Sequence, residues 1–522
     1  MTSTLGNVYR SFVVIALGGL LFGYVIGITS NVITEQQIIC KANDVTARPG
    51  SMTSFGYGQC YELTPLTKGF MSSLNLIGAC LSSLFAFSYG DTMGRKLEVQ
   101  VAALLYFIGS LGTALSPVLW GIYVGLAVYG LGIGFAMHAA PVYIAEISPA
   151  NVRGMLVSAK EGIIVLGMFL GFFTGYAFNG LHYGGWRYMV GIGSIFSLVM
   201  GAGIIAVPQS PRWLVLSAVR DRGIIQDRRN SLFEEAKQAL TFFRKSASTE
   251  EVNSEMSTMR SEIEESVGTT PAKCTDPLNF PKPLIIGCGL VMLQQVTGQP
   301  SVLYFATNIF KSAGFGNTAA LSSVGVGLVK LLATLFTVFR VDNYGRRFLL
   351  TVGISLMIVA LALIGTAFIF RVCNEPNTAL KDCSADHIGL PQGWAIATVI
   401  GLMIYVSGYQ VGFGPISWLM ISEIFPLRVR GPALSMAAIV NFGFNILMTL
   451  TQQILQDAFT PAGVFFGYLA LSILSLIFVF TMVPETKGKT LEEIERMMSG
   501  KRQEARGGPI EEPPGARFLH ED

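Results

Sequence analysis

Three short charged strings occur twice in this 522-residue chain, at nearly constant spacing. Asp91-x-x-Gly94-Arg95-Lys96 returns as Asp342-x-x-Gly345-Arg346-Arg347. Glu146-Ile147-Ser148-Pro149, followed by Arg153-Gly154, returns as Glu423-Ile424-Phe425-Pro426, followed by Arg430-Gly431. Pro208-Gln209-Ser210-Pro211 is echoed by Pro484-Glu485-Thr486-Lys487. The offsets are 251, 277 and 276 residues. Equivalent charged turns in two halves mean a chain built from two like domains.

What lies between the strings decides the solvent. The chain is 51% apolar and 13% charged, against about 25% charged residues in an ordinary soluble protein. Its charges are bunched into loops, separated by apolar stretches of roughly 20 residues, long enough to cross hydrocarbon. The 58 glycines suit close helix packing in lipid. A net charge of +3 gives no reason to expect a nucleic-acid partner. The first apolar run lacks a cleavage pattern and reads as a spanning helix rather than a signal peptide.

The fold expected is therefore an all-α membrane protein of twelve spans in two six-helix bundles. The first six run over 10–32, 68–89, 98–117, 119–145, 155–178 and 187–207; the second six over 283–310, 320–340, 347–371, 393–421, 432–455 and 462–483. This divides the chain into a first bundle (1–207), a charged, helix-prone linker (208–282), a second bundle (283–483) and a partly disordered tail (484–522) rich in glycine and proline. Arg95, Lys96, Arg153, Arg346, Arg347, Arg428 and Arg430 fall on one side, which the distribution of Lys and Arg makes cytosolic; both termini and the linker join them there. The outer loops hold Cys40 with Cys60 and Cys373 with Cys383, two candidate disulfides or four free thiols. No cysteine or histidine spacing suggests a metal, and no cofactor is expected.

Each Asp-x-x-Gly-Arg-Arg/Lys string sits in a very short turn, where glycine permits the reversal. Asp91, Arg95, Glu146 and Arg153, with Asp342, Arg346, Glu423 and Arg430, form a candidate latch: ion pairs at the cytosolic ends of two bundles that break as that face opens. The bland alternative is that these charges are only positive-inside anchors.

The chain resembles the sugar porter family of the major facilitator superfamily. The resemblance rests on Gly90-to-Lys96, Pro141-to-Glu146, Gly185-Trp186-Arg187, Pro208-to-Leu214, Gln294-to-Gln299 and Pro484-to-Gly488, and covers nearly the whole chain. Ala136-to-Pro141 and Gln294-to-Tyr304 look most like plant vacuolar-type glucose transporters and bacterial xylose symporters. The implied activity is transport of a monosaccharide by alternating access, through a lipid-embedded protein that works as a monomer and is not an enzyme.

A site for a neutral polyol needs amides and hydroxyls for its O–H groups and aromatic faces for its C–H face. The seventh span supplies Gln294 and Gln295, interrupted by Gly298 and Pro300; two glutamines in an apolar helix are costly unless they face a cavity or bridge helices. By resemblance both bind sugar. Trp418 walls it, Asn441 and Asn445 add polar positions, with Asn445 alternatively a helix bridge, and Phe22 and Tyr304 line the cavity or simply pack.

The departures from the family say more. Its proton symporters read Gly-Tyr-Asp in the first span, the Asp carrying the proton; here the string is Gly23-Tyr24-Val25, and the partner arginine is Leu126. A sugar-binding asparagine is replaced by Pro300. Two charges appear in other places: Glu161 where the family has a glutamine, and Lys330 where it has an asparagine. A charge at mid-membrane depth marks function by default. The expectation is an ion pair between Glu161 and Lys330 across the cavity, with Lys160 as a competitor for Glu161. The alternatives are a protonated Glu161 on the sugar and a snorkelling Lys330. His138 is either a proton relay or a satisfied structural residue.

Facilitated diffusion is the leading expectation, since valine does not titrate. Proton-coupled transport through Glu161, with protons as a second cargo, is the alternative, and a transporter-like sugar sensor is a third reading that the short tail disfavours. Plasma membrane and vacuolar or other endomembrane both suit the topology.

Overall fold

The structure is a computed structural model, and it describes residues 6–34, 38–39, 48–49, 59–61, 63–181, 184–220, 226–245, 247–268, 276–315, 318–373, 388–425, 429–487, 489, 493–494 and 497–498. Side chains at a few further positions, Asp91, Asp342 and Arg430 among them, lie outside the description.

Helix is the only spanning element, as it must be where no water can satisfy a backbone. In the first half these are α1 (Gly6–Val32), α2 (Pro65–Met93), α3 (Arg95–Leu115), α4 (Leu119–Ile147), α5 (Ala150–Ala177) and α6 (Gly185–Ile205). The linker supplies α7 (Pro211–Arg220), α8 (Gln226–Phe243) and α9 (Thr249–Gly268). The second half has α10 (Pro281–Val296), α11 (Gln299–Tyr304), α12 (Ala306–Ser312), α13 (Ala319–Tyr344), α14 (Arg346–Ile369), α15 (Gln392–Val411), α16 (Phe413–Ile424) and α17 (Arg430–Met482). Eleven stretches among the described residues are long and apolar enough to span a bilayer. The twelfth is the seventh span, broken into α10, α11 and α12.

Each break has a local cause. Gly298 between α10 and α11 has φ 102°, a backbone that a side chain resists, and Pro300 then sets the first turn of α11. The 53-residue α17 is two spans joined at Thr460, φ 61°, which precedes Pro461 and is thereby kept out of the helical region. The outer loops contribute two-residue ladders, β1 (Arg48–Pro49) with β2 (Gln59–Cys60) and β3 (Val372–Cys373) with β4 (Ile388–Gly389). Cys373 is disulfide-bonded. Cys40, Cys383 and the side chain of Cys60 lie outside the described residues.

The helices are inside-out relative to a soluble protein. In α3 the large residues Leu97, Leu104, Ile108, Leu111 and Leu115 are exposed, while Ala102, Ala103, Ser110, Thr113 and Ala114 are buried. The exposed stripe keeps helical spacing, so one face meets lipid and the small face meets the bundle. Between α1 and α5 the approach is tighter still: a Cβ on Gly23 would lie 1.8 Å from the Ile164 carbonyl oxygen, and one on Gly171 2.4 Å from that of Tyr24. One apolar cluster fills the first half and a second fills the latter half. Leu303, Tyr304, Phe305 and Ala306 of the seventh span pack into the first cluster, across the divide. The linker has a small cluster of its own around Leu214, Leu232 and Ile263, and is tied to α4 by Arg244, which donates to the Ile147 carbonyl at 2.8 Å.

Gly23→Ala should lower the melting temperature of the detergent-solubilised protein. Overpacking of this kind costs about 1–3 kcal/mol. An unchanged melt would show that α1 and α5 do not meet at that spacing.

Candidate functional site

The three repeated strings meet at one junction in each half. Arg95 Nε lies 3.4 Å from Glu146 Oε1, and Arg346 donates from a terminal guanidinium nitrogen to Glu423 Oε1 at 3.0 Å. Gly94 and Gly345, with φ 85° and 91°, make the turns that start α3 and α14. The third string caps those helices: Gln209 Oε1 accepts from the Lys96 amide at 2.9 Å, and the two oxygens of Glu485 accept from the Arg346 and Arg347 amides at 3.0 and 3.1 Å. Thr486 donates to Glu423 at 2.6 Å, and the equivalent Ser210 stands beside Glu146. Lys96 and Arg347 reach the carbonyls of Ile205 and Phe480, which closes the ends of the sixth and twelfth spans.

Each of these two ion pairs lies within its own half, and Arg153 is exposed with no ion-pair partner among the described residues. The hydrogen bonds that do join the halves are at the opposite end. There the Thr307 amide donates to Ser30 Oγ at 3.0 Å, Thr307 Oγ1 donates to Asn31 Oδ1 at 3.2 Å, and Asn308 donates to the Ile33 carbonyl at 3.3 Å.

Between the halves, Gln294 is buried, donating to the Phe413 carbonyl at 3.3 Å and accepting from Asn441 at 3.4 Å. The Tyr409 hydroxyl also bonds the Gln294 side chain. Gln295 Oε1 and the Tyr304 hydroxyl are buried with no hydrogen-bond partner among the described residues. Unsatisfied polar atoms at such depth are costly, and they flank the breaks of the seventh span. Asn445 is engaged locally, accepting from Thr449 at 3.3 Å. Trp418 and Phe22 are partly buried, packed on the second and first clusters respectively.

The expected Glu161–Lys330 pair is not made in this structure. Lys160 holds Glu161 at 3.2 Å, because the two are neighbours on α5 and no movement between halves is needed. Lys330, on α13, is 3% exposed. It has no carboxylate within ion-pair distance among the described residues and lies 5.4 Å from the centre of the Tyr409 ring. Glu161 is still close enough for its charge to act on both Lys330 and Tyr409. Two cations thus share one carboxylate where α5 and α13 pack. Sequence reasoning missed Tyr409, whose position beside Lys330 requires the three-dimensional arrangement, and weighed Lys160 only as a competitor.

Val25 and Leu126 line one small cavity inside the first half, with Tyr24, Ile28, Met71 and Tyr129 among its walls. The tyrosine hydroxyls there are already committed, Tyr24 to the Met189 carbonyl at 2.6 Å and Tyr129 to the Leu21 carbonyl at 2.8 Å. No lining residue is a carboxylate, a histidine or a lysine.

Residues 11–498 match the family described as "Sugar (and other) transporter". The chain is 40% identical over 490 residues to D-xylose-proton symporter-like 2 of Arabidopsis thaliana, covering 92% of this chain and 88% of the relative. It is 31% identical to the D-xylose transporter of Levilactobacillus brevis, covering 93% of this chain and 94% of the relative. Its fold matches the inward open conformation of the xylose transporter XylE from E. coli with TM-score 0.71 at 25% identity, over 94% of this chain and 99% of that one. The XylE structure bound to 6-bromo-6-deoxy-D-glucose matches at TM-score 0.69 and 26% identity, over 95% of this chain and 100% of that one. The fold is that of a twelve-helix transporter of the major facilitator superfamily. The chain belongs to its sugar porter family and is a multi-pass integral membrane transporter, not an enzyme.

Glu423→Ala should destabilise the protein by about 3 kcal/mol, since it removes a carboxylate partner of the mostly buried Arg346. Replacing both partners by leucine should recover much of that loss in the same thermal melt. A double variant no better than the single one would show that the pair is not the coupled unit described.

Proposed function

We propose that this chain carries a glucose- or xylose-like monosaccharide across a membrane by alternating access, as a facilitator working as a monomer. The observation that carries the reading is that Gln295 Oε1 and the Tyr304 hydroxyl, both on the broken seventh span that also carries the Gln294 amide, are buried without a hydrogen-bond partner among the described residues. A polyol offers donors to the one and acceptors to the other, and the broken seventh span lets that wall move without unwinding a whole helix. Hydrogen bonds across the end remote from the charged motifs correspond to a transporter closed on that face. By the distribution of Lys and Arg the motif face, with both termini, is cytosolic; the membrane is plasma or endomembrane. Trp418, Phe22 and Asn445 complete the wall, and the motif charges act as the latch when the other face opens.

Facilitation follows from the cavity at Val25 and Leu126. Its apolar walls and committed tyrosines leave nothing there to take up and release a proton. The second reading, proton coupling through Glu161, draws on two cations, Lys160 and Lys330, lying near one carboxylate where α5 and α13 pack. The relatives named as proton symporters are consistent with that alternative.

Pure protein in proteoliposomes should take up D-glucose or D-xylose saturably, each competing with the other. Gln295→Ala should raise KM about tenfold, equal to ~1.4 kcal/mol of lost binding. No saturable flux of either sugar would contradict the reading, and an unaffected Gln295→Ala would remove that residue from the site.

A further inference from the structure

The two halves share their Arg–Glu junction, but the first half adds a pair that the second lacks. Glu98, on the first turn of α3, is fully buried, and Glu98 Oε2 lies 2.7 Å from His138 Nδ1 on α4. Its other oxygen, Oε1, has no hydrogen-bond partner among the described residues; Arg95 is 3.8 Å away. Transferring the repeat offsets places Leu349 where Glu98 would be (98 plus 251) and Pro415 where His138 would be (138 plus 277). The pair is therefore no part of the junction's common architecture.

With Glu98 ionised, Nδ1 must carry the hydrogen that bonds it, so the lone pair is on Nε2, which has no partner among the described residues. The His138 side chain is 25% exposed, whereas that of Glu98 is 0%. A buried carboxylate thus orients an imidazole that is itself partly exposed. The charged groups around it are few. On α3 there are Arg95 and Glu98, on α4 Glu146, and on α7 Arg212, which acts on Glu146. Gly90 of α2 lies against the pair, and its neighbour Asp91 has no described side chain. No charged group of α1 or α5 is within ion-pair distance of Glu98 or His138 among the described residues.

We propose that His138 and Glu98 form a proton-binding site, separate from the sugar cavity, that sets the strength of the first-half junction. The step is one proton from water to His138 Nε2, giving an imidazolium whose Nδ1–H remains on Glu98. With His138 neutral, Arg95 is shared between carboxylates at 3.8 and 3.4 Å. With His138 charged, Glu98 is matched by the imidazolium beside it, and Arg95 belongs to Glu146. Arg95 also donates to the Gly90 carbonyl at 3.1 Å, so its placement is felt at the end of α2. Histidine changes charge between about pH 5 and 8. Acidification on the motif side therefore tightens one half's junction, leaves the other's unchanged, and slows the exchange of states.

Two measurements test this. Equilibrium exchange of sugar in proteoliposomes with equal pH on both sides removes any driving force from protons. Wild type should slow at least threefold from pH 7.5 to 5.5, and His138→Gln should be flat. Melting of the solubilised protein needs no sugar, so it separates this claim from the transport reading. The wild-type minus His138→Gln difference should change between pH 5 and 8, and Glu98→Gln serves in place of His138→Gln if that variant does not fold. A melting difference that is constant with pH, or an exchange profile that survives His138→Gln, overturns the proposal.

Discussion

The paired junctions at the motif end are what the rest of the structure is hung from. A chain this apolar has little besides packing to fix the order of its helices, and packing in lipid is only weakly directional. Arg95–Glu146 and Arg346–Glu423 supply direction. Each ties the start of a third helix to the end of a fourth, while Gln209 or Glu485 caps that third helix from the segment after the sixth. Four helix ends are thereby located by one charged joint. The joint occurs inside each half, so the surface between the halves does not depend on it.

The proposed transport site lies at that surface. The halves meet near polar groups that do not exhaust one another: among the described residues Gln295 Oε1 and the Tyr304 hydroxyl have no hydrogen-bond partner, and Lys330 has no carboxylate within ion-pair distance. Fully matched groups would weld the halves together in one state. Under-matched groups keep a place for a ligand and keep two arrangements close in energy. Glu161 follows the same pattern, satisfied by its own helix neighbour while remaining within electrostatic reach of the opposite half.

The fold was largely legible because lipid enforces it. Span lengths, the doubled motifs and the Gly298–Pro300 interruption all appear in the one-dimensional pattern, and the seventh span breaks at that interruption. The functional residues were legible only as candidates. Glu161 and Lys330 stand out as charges in apolar helices, yet which partner Glu161 takes depends on a distance between helices that sequence does not contain. Lys160 prevails through adjacency. The junction's third member was visible as an echo, but its task, capping a helix more than a hundred residues away, becomes clear only when the turn and the linker are brought together. Glu98 carried no signal at all until His138 was found against it.

The central claim is that sugar crosses without protons because Val25 and Leu126 replace the titrating pair. Its most direct test is a pH-sensitive dye inside proteoliposomes, with external sugar supplied as the only gradient. The account predicts that sugar equilibrates while internal pH stays constant. Stoichiometric proton movement with the sugar, abolished by Glu161→Gln, would contradict it and make the Lys160–Glu161–Lys330 cluster the coupling site.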